Sequence, residues 1–335
     1  MSKKVAINGF GRIGSAILKI ILENPEFELV ALNDLQPLEN LAYLLKYDSV
    51  YGRYEREVKA EKDSLNMNID GNKYRVFSEK DPAKLPWKAL QVDIVFECTG
   101  MFRKKEELEK HLQAGAKLVI LSAPEKTGDV QMIVHGVNQP DRSQNLVSCA
   151  SCTTNCISPV VEVLGRRVGI KKALMTTIHA YTSSQSLVDA PKNKWSRGRA
   201  AAVNFVPTTT GAAQATTKIL PQYKDKFDGV AVRGPVPVGS LTDMVFLLER
   251  DSTVKEVNEI FREESKTDRY RGILGVTRDP LVSSDIIKDP RASIVDLNMT
   301  QVVDGDFLKV MSWYDNEWGY ANQMVRTAME MIQQA

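Results

Sequence analysis

Along the first third of the chain, short apolar runs alternate with stretches that carry a helical repeat. The segment "KKVAIN" reads as a β-strand, and "SAILKIILEN" places Ile17, Leu18, Ile20, Ile21 and Leu22 on one broad helical face. "FELVALND" is a second strand. "PLENLAYLLKYDS" reads as a helix, "KYRVF" and "VDIVFECTG" as strands, "KKEELEKHLQAGA" as a helix and "KLVILSAP" as a strand. Strands alternating with helices predict a largely parallel, doubly wound α/β sheet, whose ligands lie beyond the carboxyl ends of its strands. After residue 150 the pattern changes. A helix is predicted from about Ser151, with Pro159 inside it, followed by the strand "LMTTIHAYT". The stretch from Tyr181 to Arg199 has no periodicity, and loops of that length in compact domains are functional or disordered. No internal repeat is evident, and "YANQMVRTAMEMIQQ" closes the chain as an amphipathic helix.

At 335 residues the chain exceeds one ordinary core, which predicts two domains. Forty-four Lys and Arg against 42 Asp and Glu leave a net charge of +2, so no global field attracts nucleic acid or a membrane surface, and any anion site must be local. No apolar run approaches the roughly 18 residues of a membrane span, and "MSKKVAINGF" leads directly into a strand. A cytoplasmic location is the expectation. Four cysteines are too few for a disulfide framework.

The first strand ends in Gly9-x-Gly11-x-x-Gly14. These glycines permit a tight turn and a close backbone approach to a pyrophosphate at a helix N-terminus, where free N–H groups favour negative charge. Asp34 ends the second strand, 20 residues past Gly14, where a carboxylate can accept hydrogen bonds from an adenosine ribose and repel a 2′-phosphate. The pair favours NAD over NADP. Thr99, Gly100 and Ser122 stand at later strand ends, as cofactor-loop residues or plain turns.

"SCASCTTNC" gathers three of the four cysteines. Their spacing lacks the paired Cys-x2-Cys and further ligands of a zinc site, so no metal is expected. Cys152 falls in the first turn of the predicted helix, where the macrodipole should lower a thiol pKa, while Cys98, Cys149 and Cys156 read as packed thiols. A thiolate needs a base. Of three histidines, His111 lies in a charged helix and reads as solvated, and His135 ends a strand and reads as structural. His179 stands at a strand mouth 27 positions beyond Cys152, a distance that suits a helix and a returning strand. Arg197, Arg199 and Arg233 can bind phosphate oxyanions bidentately, with the hydroxyls of Thr182, Ser184 and Thr210 as companions; the alternative for each Arg is a surface salt bridge.

"NGFGRIG", "ALND", "LKYDSVYG", "SCASCTTNC", "TTIHAYT", "RGRAA", "VPTTTGAA" and "SWYDNEWGY" resemble, in order and from end to end, the phosphorylating glyceraldehyde-3-phosphate dehydrogenases. The resemblance implies a Rossmann-type NAD-binding domain over residues 1–150, completed by a C-terminal helix at 317–335, and an α+β catalytic domain over 151–316 with a mixed or antiparallel sheet. It implies Cys152 as nucleophile and His179 as base, acting on glyceraldehyde 3-phosphate and inorganic phosphate through a thiohemiacetal and a thioester. Thr182, Ser184, Arg197 and Arg233 correspond to a substrate-phosphate set, and Ser151, Thr153, Thr210 and Gly211 to an attacking-phosphate set. Gly9, Arg12, Ile13 and Asp34 would surround the pyrophosphate and adenosine, Asn316 would hold the nicotinamide carboxamide, and Tyr320 would pack nearby. A homotetramer is implied. Departures from the common pattern are Ser15, Cys149, Ser184 and the "RGPVPVGSLTD" stretch, where the usual form carries Val at the position of Gly239. The rival within the enzyme class is an erythrose-4-phosphate dehydrogenase, against which Asp34 argues mildly. A catalytically idle NAD- or RNA-binding protein is the rival outside it, against which intact Cys152 and His179 argue.

Overall fold

The protein is described here from a computed structural model covering residues 2–61 and 65–332. The chain divides into two compact units, one holding residues up to Ile133, Pro140–Ala150 and those from Met324 onward, the other Val134–Gln139 and Ser151–Gln323.

In the first unit the strands are β1 (Lys3–Asn8), β2 (Phe27–Asn33), β3 (Tyr47–Asp48), β4 (Gly52–Arg53), β5 (Val58–Glu61), β6 (Asn66–Ile69), β7 (Asn72–Phe77), β8 (Ile94–Glu97), β9 (Leu118–Leu121), β10 (Gln131–Met132) and β11 (Leu146–Ser148). Its helices include α1 (Arg12–Ile21), α2 (Leu38–Lys46), α3 (Trp87–Leu90) and α4 (Lys105–Gln113). The sheet order is β10-β11-β9-β8-β1-β2-β7-β6-β5, with β3 and β4 pairing separately. Every pair from β10 to β7 is parallel, the chain returning to the same edge by crossovers that are helical at α1 and α4, and the order reverses at β1. The β7-β6-β5 edge is an antiparallel meander. "VKAE" and "NMNI" escape a sequence reading because each is four residues long and partly polar. Fully buried β8 and β9, "IVFE" and "LVIL", show instead the continuous apolar runs of strands covered on both faces.

His111 corrects an expectation. Although its helix is rich in charge, His111 is fully buried and bonded to Trp87 and Glu97, because it occupies the inner face of α4 with Leu108.

In the second unit, α5 (Cys152–Arg167) is followed by β12 (Ile170–Ala180), β13 (Val206–Thr209), α6 (Ala212–Ile219), β14 (Phe227–Gly234) and β15 (Ser240–Leu248). Then come α7 (Val254–Glu264), β16 (Leu274–Thr277), β17 (Ser293–Asp296), β18 (Gln301–Val303), β19 (Phe307–Tyr314) and α8 (Trp318–Ile332). The sheet runs β13-β14-β12-β15-β19-β17-β16, with β18 on β19. The β12–β14 and β16–β17 pairs are parallel and the others antiparallel, so the sheet is mixed. β15 alternates buried and half-buried residues along its whole length, the signature of a sheet with helices on one face. Helices α5, α6 and α7 supply that cover. The closing helix begins in this unit, and from Met324 its residues belong to the first, where Met329 accepts a hydrogen bond from the Asn24 amide. Residues 333–335 of the predicted final helix lie outside the described residues.

Candidate active site

Ser151 caps α5 from an extended conformation, its Oγ accepting the Thr154 N–H at 3.1 Å. The residue before it, Ala150, turns the chain at φ +56°. Cys152 therefore opens the helix, with its own N–H and that of Thr153 directed at the sulfur. β12 carries His179 alongside, placing Nε2 3.4 Å from Sγ. His179 Nδ1 lies 2.6 Å from the Ala180 carbonyl, which can only accept; Nδ1 thus holds the proton, and the Nε2 lone pair faces the thiol. Tyr314 meets the imidazole edge-on at 6.0 Å, and its hydroxyl bonds Thr153 and Thr177 at 2.9 Å each. Sequence reasoning assigned Tyr314 no role, although "SWYDNEWGY" contains it. Cys156 is a packed thiol, pushed up to about 11 by burial, against which its contacts with Thr242, Ser293 and Ser312 act.

Burial depresses His179 to about 4, with Arg233 adding to the effect and the Ala180 carbonyl opposing it. Burial also raises Cys152 above its ordinary value, ahead of the lowering contributions of Thr153, the helix N–H groups and Arg233. This reverses the expectation drawn from the helix dipole: removing water from a thiolate costs more than the first turn of α5 returns. Residual solvent access at Cys152 moderates the push. Both directions favour the uncharged pair of thiol and neutral imidazole.

Register places Arg233 of β14 directly beside His179 of β12. Arg233 Nη1 donates to Thr182 Oγ1 at 2.9 Å and its buried Nε has no partner, while Thr182 and Ser184 share a hydroxyl contact at 2.9 Å. Arg197 donates to Thr208 Oγ1 at 3.0 Å and the Thr209 carbonyl at 3.1 Å. Among the described residues neither guanidinium forms an ion pair, and Arg233 is depressed by burial and by Arg197. Two close cations without a carboxylate suit an anionic ligand. Arg199 is different, for it pairs with Asp189 at 2.9 Å on an exposed surface. Thr210 Oγ1 accepts the Ala212 N–H at 3.2 Å, and Gly211 caps α6 with open space around its missing Cβ. The hydroxyls of Ser151 and Thr153 are already engaged, by Thr154 and Tyr314.

In the first unit, Gly9 adopts φ +90°, and a Cβ on Gly14 would lie 2.1 Å from the Gly9 carbonyl oxygen, so both glycines are required by the turn. Gly11 caps α1 without a side-chain hydrogen bond, and space is open in front of it. A helix start with open space before it fits a pyrophosphate. Asp34 is held by the N–H groups of Phe10 at 2.7 Å and Gln36 at 2.9 Å, beside a groove of about 350 Å³ lined by Leu35, Pro37 and Phe77. Arg12 pairs with Asp48 at 2.7 Å and covers the Tyr51 ring, which leaves its backbone as its contribution at the helix start; Ile13 is half-buried next to it. Thr99 donates twice to Glu97, Gly100 adopts φ +71°, and the Ser122 N–H donates to the Glu97 carbonyl at 3.0 Å. All of these residues stand at the carboxyl ends of the neighbouring strands β9, β8, β1 and β2, around the switch point at β1.

Asn316 and Tyr320 belong to the second unit, both buried. Asn316 Oδ1 accepts the Gly239 N–H at 3.2 Å and the Ser240 hydroxyl at 2.9 Å, which fixes its amide so that Nδ2 serves as a donor. Gly239 stands at φ +91°, and a Cβ there would meet the Ser283 carbonyl oxygen at 2.1 Å. The unusual glycine therefore suits this loop. Among the described residues no cluster of His, Cys, Asp and Glu is placed to hold a metal ion, and no helix is long and apolar enough to cross a membrane.

The profile of the glyceraldehyde 3-phosphate dehydrogenase NAD binding domain matches residues 3–105, and that of the C-terminal domain matches residues 151–316. The glyceraldehyde-3-phosphate dehydrogenase of Streptomyces coelicolor is 48% identical over 97% of both chains. That of Thermotoga maritima is also 48% identical over 97% of both, and that of Zymomonas mobilis is 46% identical over 99% of both. A thiol–imidazole pair, two unpaired arginines and a dinucleotide turn thus sit in a chain whose likeness extends from end to end, and the protein belongs to the glyceraldehyde-3-phosphate dehydrogenase family.

Proposed function

We propose that the protein oxidises glyceraldehyde 3-phosphate in the presence of NAD and inorganic phosphate, forming 1,3-bisphosphoglycerate. The contact of Cys152 Sγ with the unprotonated Nε2 of His179 carries this reading. Nε2 takes the thiol proton as sulfur attacks the aldehyde carbon, giving a thiohemiacetal on Cys152. The N–H of Cys152 at the α5 start and the newly protonated imidazole stabilise the substrate oxygen, and the imidazolium passes its proton to that oxygen to form the thiohemiacetal hydroxyl, which leaves His179 neutral again. NAD, when bound, supplies the hydride acceptor, and the thiohemiacetal becomes a thioester on Cys152. In that oxidation His179 takes the hydroxyl proton; phosphate oxygen then attacks the thioester carbon, the C–S bond breaks, and the acyl phosphate leaves with Cys152 restored. Thr182, Ser184, Arg197 and Arg233 hold the substrate phosphate, and Ser151, Thr153, Thr210 and Gly211 seat the attacking phosphate. For the cofactor, Gly9, Gly11, Arg12, Ile13 and Gly14 cradle the pyrophosphate, Asp34 engages the ribose, Thr99, Gly100 and Ser122 line the loops, and Asn316 with Tyr320 orients the nicotinamide.

In this reading the cofactor domain spans residues 1–150 and is completed by residues 317–335, the catalytic domain spans 151–316, and the enzyme works in the cytoplasm as a homotetramer. Exposed Leu174 and Val230 on one face of the second sheet, with Trp195 and Phe205 on the same unit, support assembly. The test is NADH absorbance with glyceraldehyde 3-phosphate, with and without phosphate, and with erythrose 4-phosphate in parallel. Phosphate-dependent reduction with the triose is expected. A preference for the tetrose would move the protein to erythrose-4-phosphate dehydrogenase, and no reduction with either would overturn the enzymatic reading.

A further inference from the structure

Behind the carboxyl edge of the first sheet lies a buried polar chain that the proposed chemistry does not use. Trp87, Glu97 and His111 are fully buried, and Asn8 and Asn33 nearly so. The Trp87 indole N–H donates to His111 Nδ1 at 3.0 Å. That bond forces the imidazole proton onto Nε2, which faces Glu97 Oε2 at 3.1 Å. The same carboxylate oxygen accepts the Asn8 amide at 2.5 Å, and Asn8 Oδ1 in turn accepts the Asn33 amide at 2.7 Å. Asn33 is tied to the backbone of Glu79 in both directions at 2.9 Å. The other Glu97 oxygen takes the N–H and hydroxyl of Thr99.

Three members of this chain stand one or two residues before the dinucleotide edge: Asn8 precedes Gly9, Asn33 precedes Asp34, and Glu97 stands two before Thr99. We infer that His111, acting through Glu97, is a positioning residue for NAD, fixing the loop of Thr99 and Gly100 in register with the glycine turn and Asp34. A hydrophobic core would hold the strands at their spacing but not the rotation of the loops beyond them. Directional bonds from one carboxylate on β8 to β1, to α4 and to the loop at Thr99 do fix that rotation. Without the His111 donor the buried carboxylate depends on the Asn8 amide and Thr99 alone, and its readjustment toward them shifts the two loops they hold.

This inference rests on the reading of those strand ends as the cofactor site. The test compares His111→Leu, His111→Gln and Trp87→Phe with the parent by NAD titration calorimetry, steady-state kinetics and thermal unfolding without NAD. In His111→Leu the NAD dissociation constant should rise about 10-fold, while kcat at saturating NAD and KM for glyceraldehyde 3-phosphate stay within about twofold. His111→Gln, whose amide can donate to Glu97, should recover most of the loss. Trp87→Phe, which frees the tautomer but leaves the imidazole, should raise the constant about threefold, and it serves where His111→Leu does not fold. A lowered unfolding temperature with an unchanged NAD constant in both Trp87→Phe and His111→Leu would reduce the chain to core packing and overturn the inference. Asp34→Ala separates the two failures: if it weakens NAD binding while the His111 variants do not, the cofactor site stands and the His111 inference alone falls.

Discussion

His179 is held neutral by burial and by two guanidiniums, and Cys152 is held as a thiol by the same dry surroundings, so neither residue is reactive alone. Proton transfer between them creates a thiolate and an imidazolium in contact, and each then stabilises the other. Cys152→Ser keeps the shape but replaces the thiol with a far weaker acid; turnover should fall below detection while NAD binding is kept, and undiminished aldehyde oxidation would remove Cys152 as nucleophile. The depressed histidine also has a stability consequence. Between about pH 6.5 and 4 the unfolded chain protonates this residue and the folded chain does not, so acidification through that window removes stability, by up to roughly 3 kcal/mol. His179→Asn should show a flatter stability profile between pH 6.5 and 4 in urea titrations, and parallel profiles would place the acid sensitivity elsewhere. Asp34 lies outside this chemistry. Its carboxylate is fixed by Phe10 and Gln36 at the end of β2, and Asp34→Ala should narrow the ratio of kcat/KM for NAD over NADP; an unchanged ratio would release Asp34 from the choice of cofactor.

At the level of elements, the site depends on where two helices begin and where two strands end. Ser151 stops the incoming chain and starts α5, so the cap sets the angle at which Cys152 leaves the helix. Ser151→Ala should cost about 1 kcal/mol in stability and lower kcat at saturating substrate, because the sulfur loses its alignment with Nε2. A denaturation midpoint that falls with kcat intact would confine the cap to folding. Much at this scale was legible from pattern: the glycine turn into α1, the apolar strands β8 and β9, and the helix after the cysteine cluster all occur close to their expected limits. The antiparallel β5 and β6 were not legible, since short strands with one polar face lack a strong hydrophobic period. Neither was the inner face of α4, where a histidine among charges turns inward because Glu97 and Trp87 satisfy both of its nitrogens.

For the whole molecule, the second sheet presents Leu174 and Val230, two-thirds and half exposed, on the face opposite its helices. Single exposed apolar residues are ordinary, but this pair occupies neighbouring strands β12 and β14 with side chains on a shared face. Leu174→Glu should shift the mass measured by light scattering from tetramer toward smaller species, while leaving the thiol–imidazole pair on the other end of β12 in place. A parent chain that is monomeric at working concentrations would overturn the proposed assembly.

Local sequence alone determined the dinucleotide turn, the strand and helix alternation, Asp34 at its strand end and Cys152 at a helix start. Glycine conformations, hydrophobic periods and capping are short-range effects written in a few consecutive residues. Tertiary structure alone decided that His111 turns inward onto Trp87 and Glu97, that Arg197 and Arg233 stay unpaired among the described residues while Arg199 is neutralised by Asp189, and that Tyr314 supports the imidazole. It also reversed the pKa expected for Cys152. These outcomes depend on which distant residues share a desolvated space, and desolvation, register and ion pairing are properties of the assembled sheet that no local spacing contains.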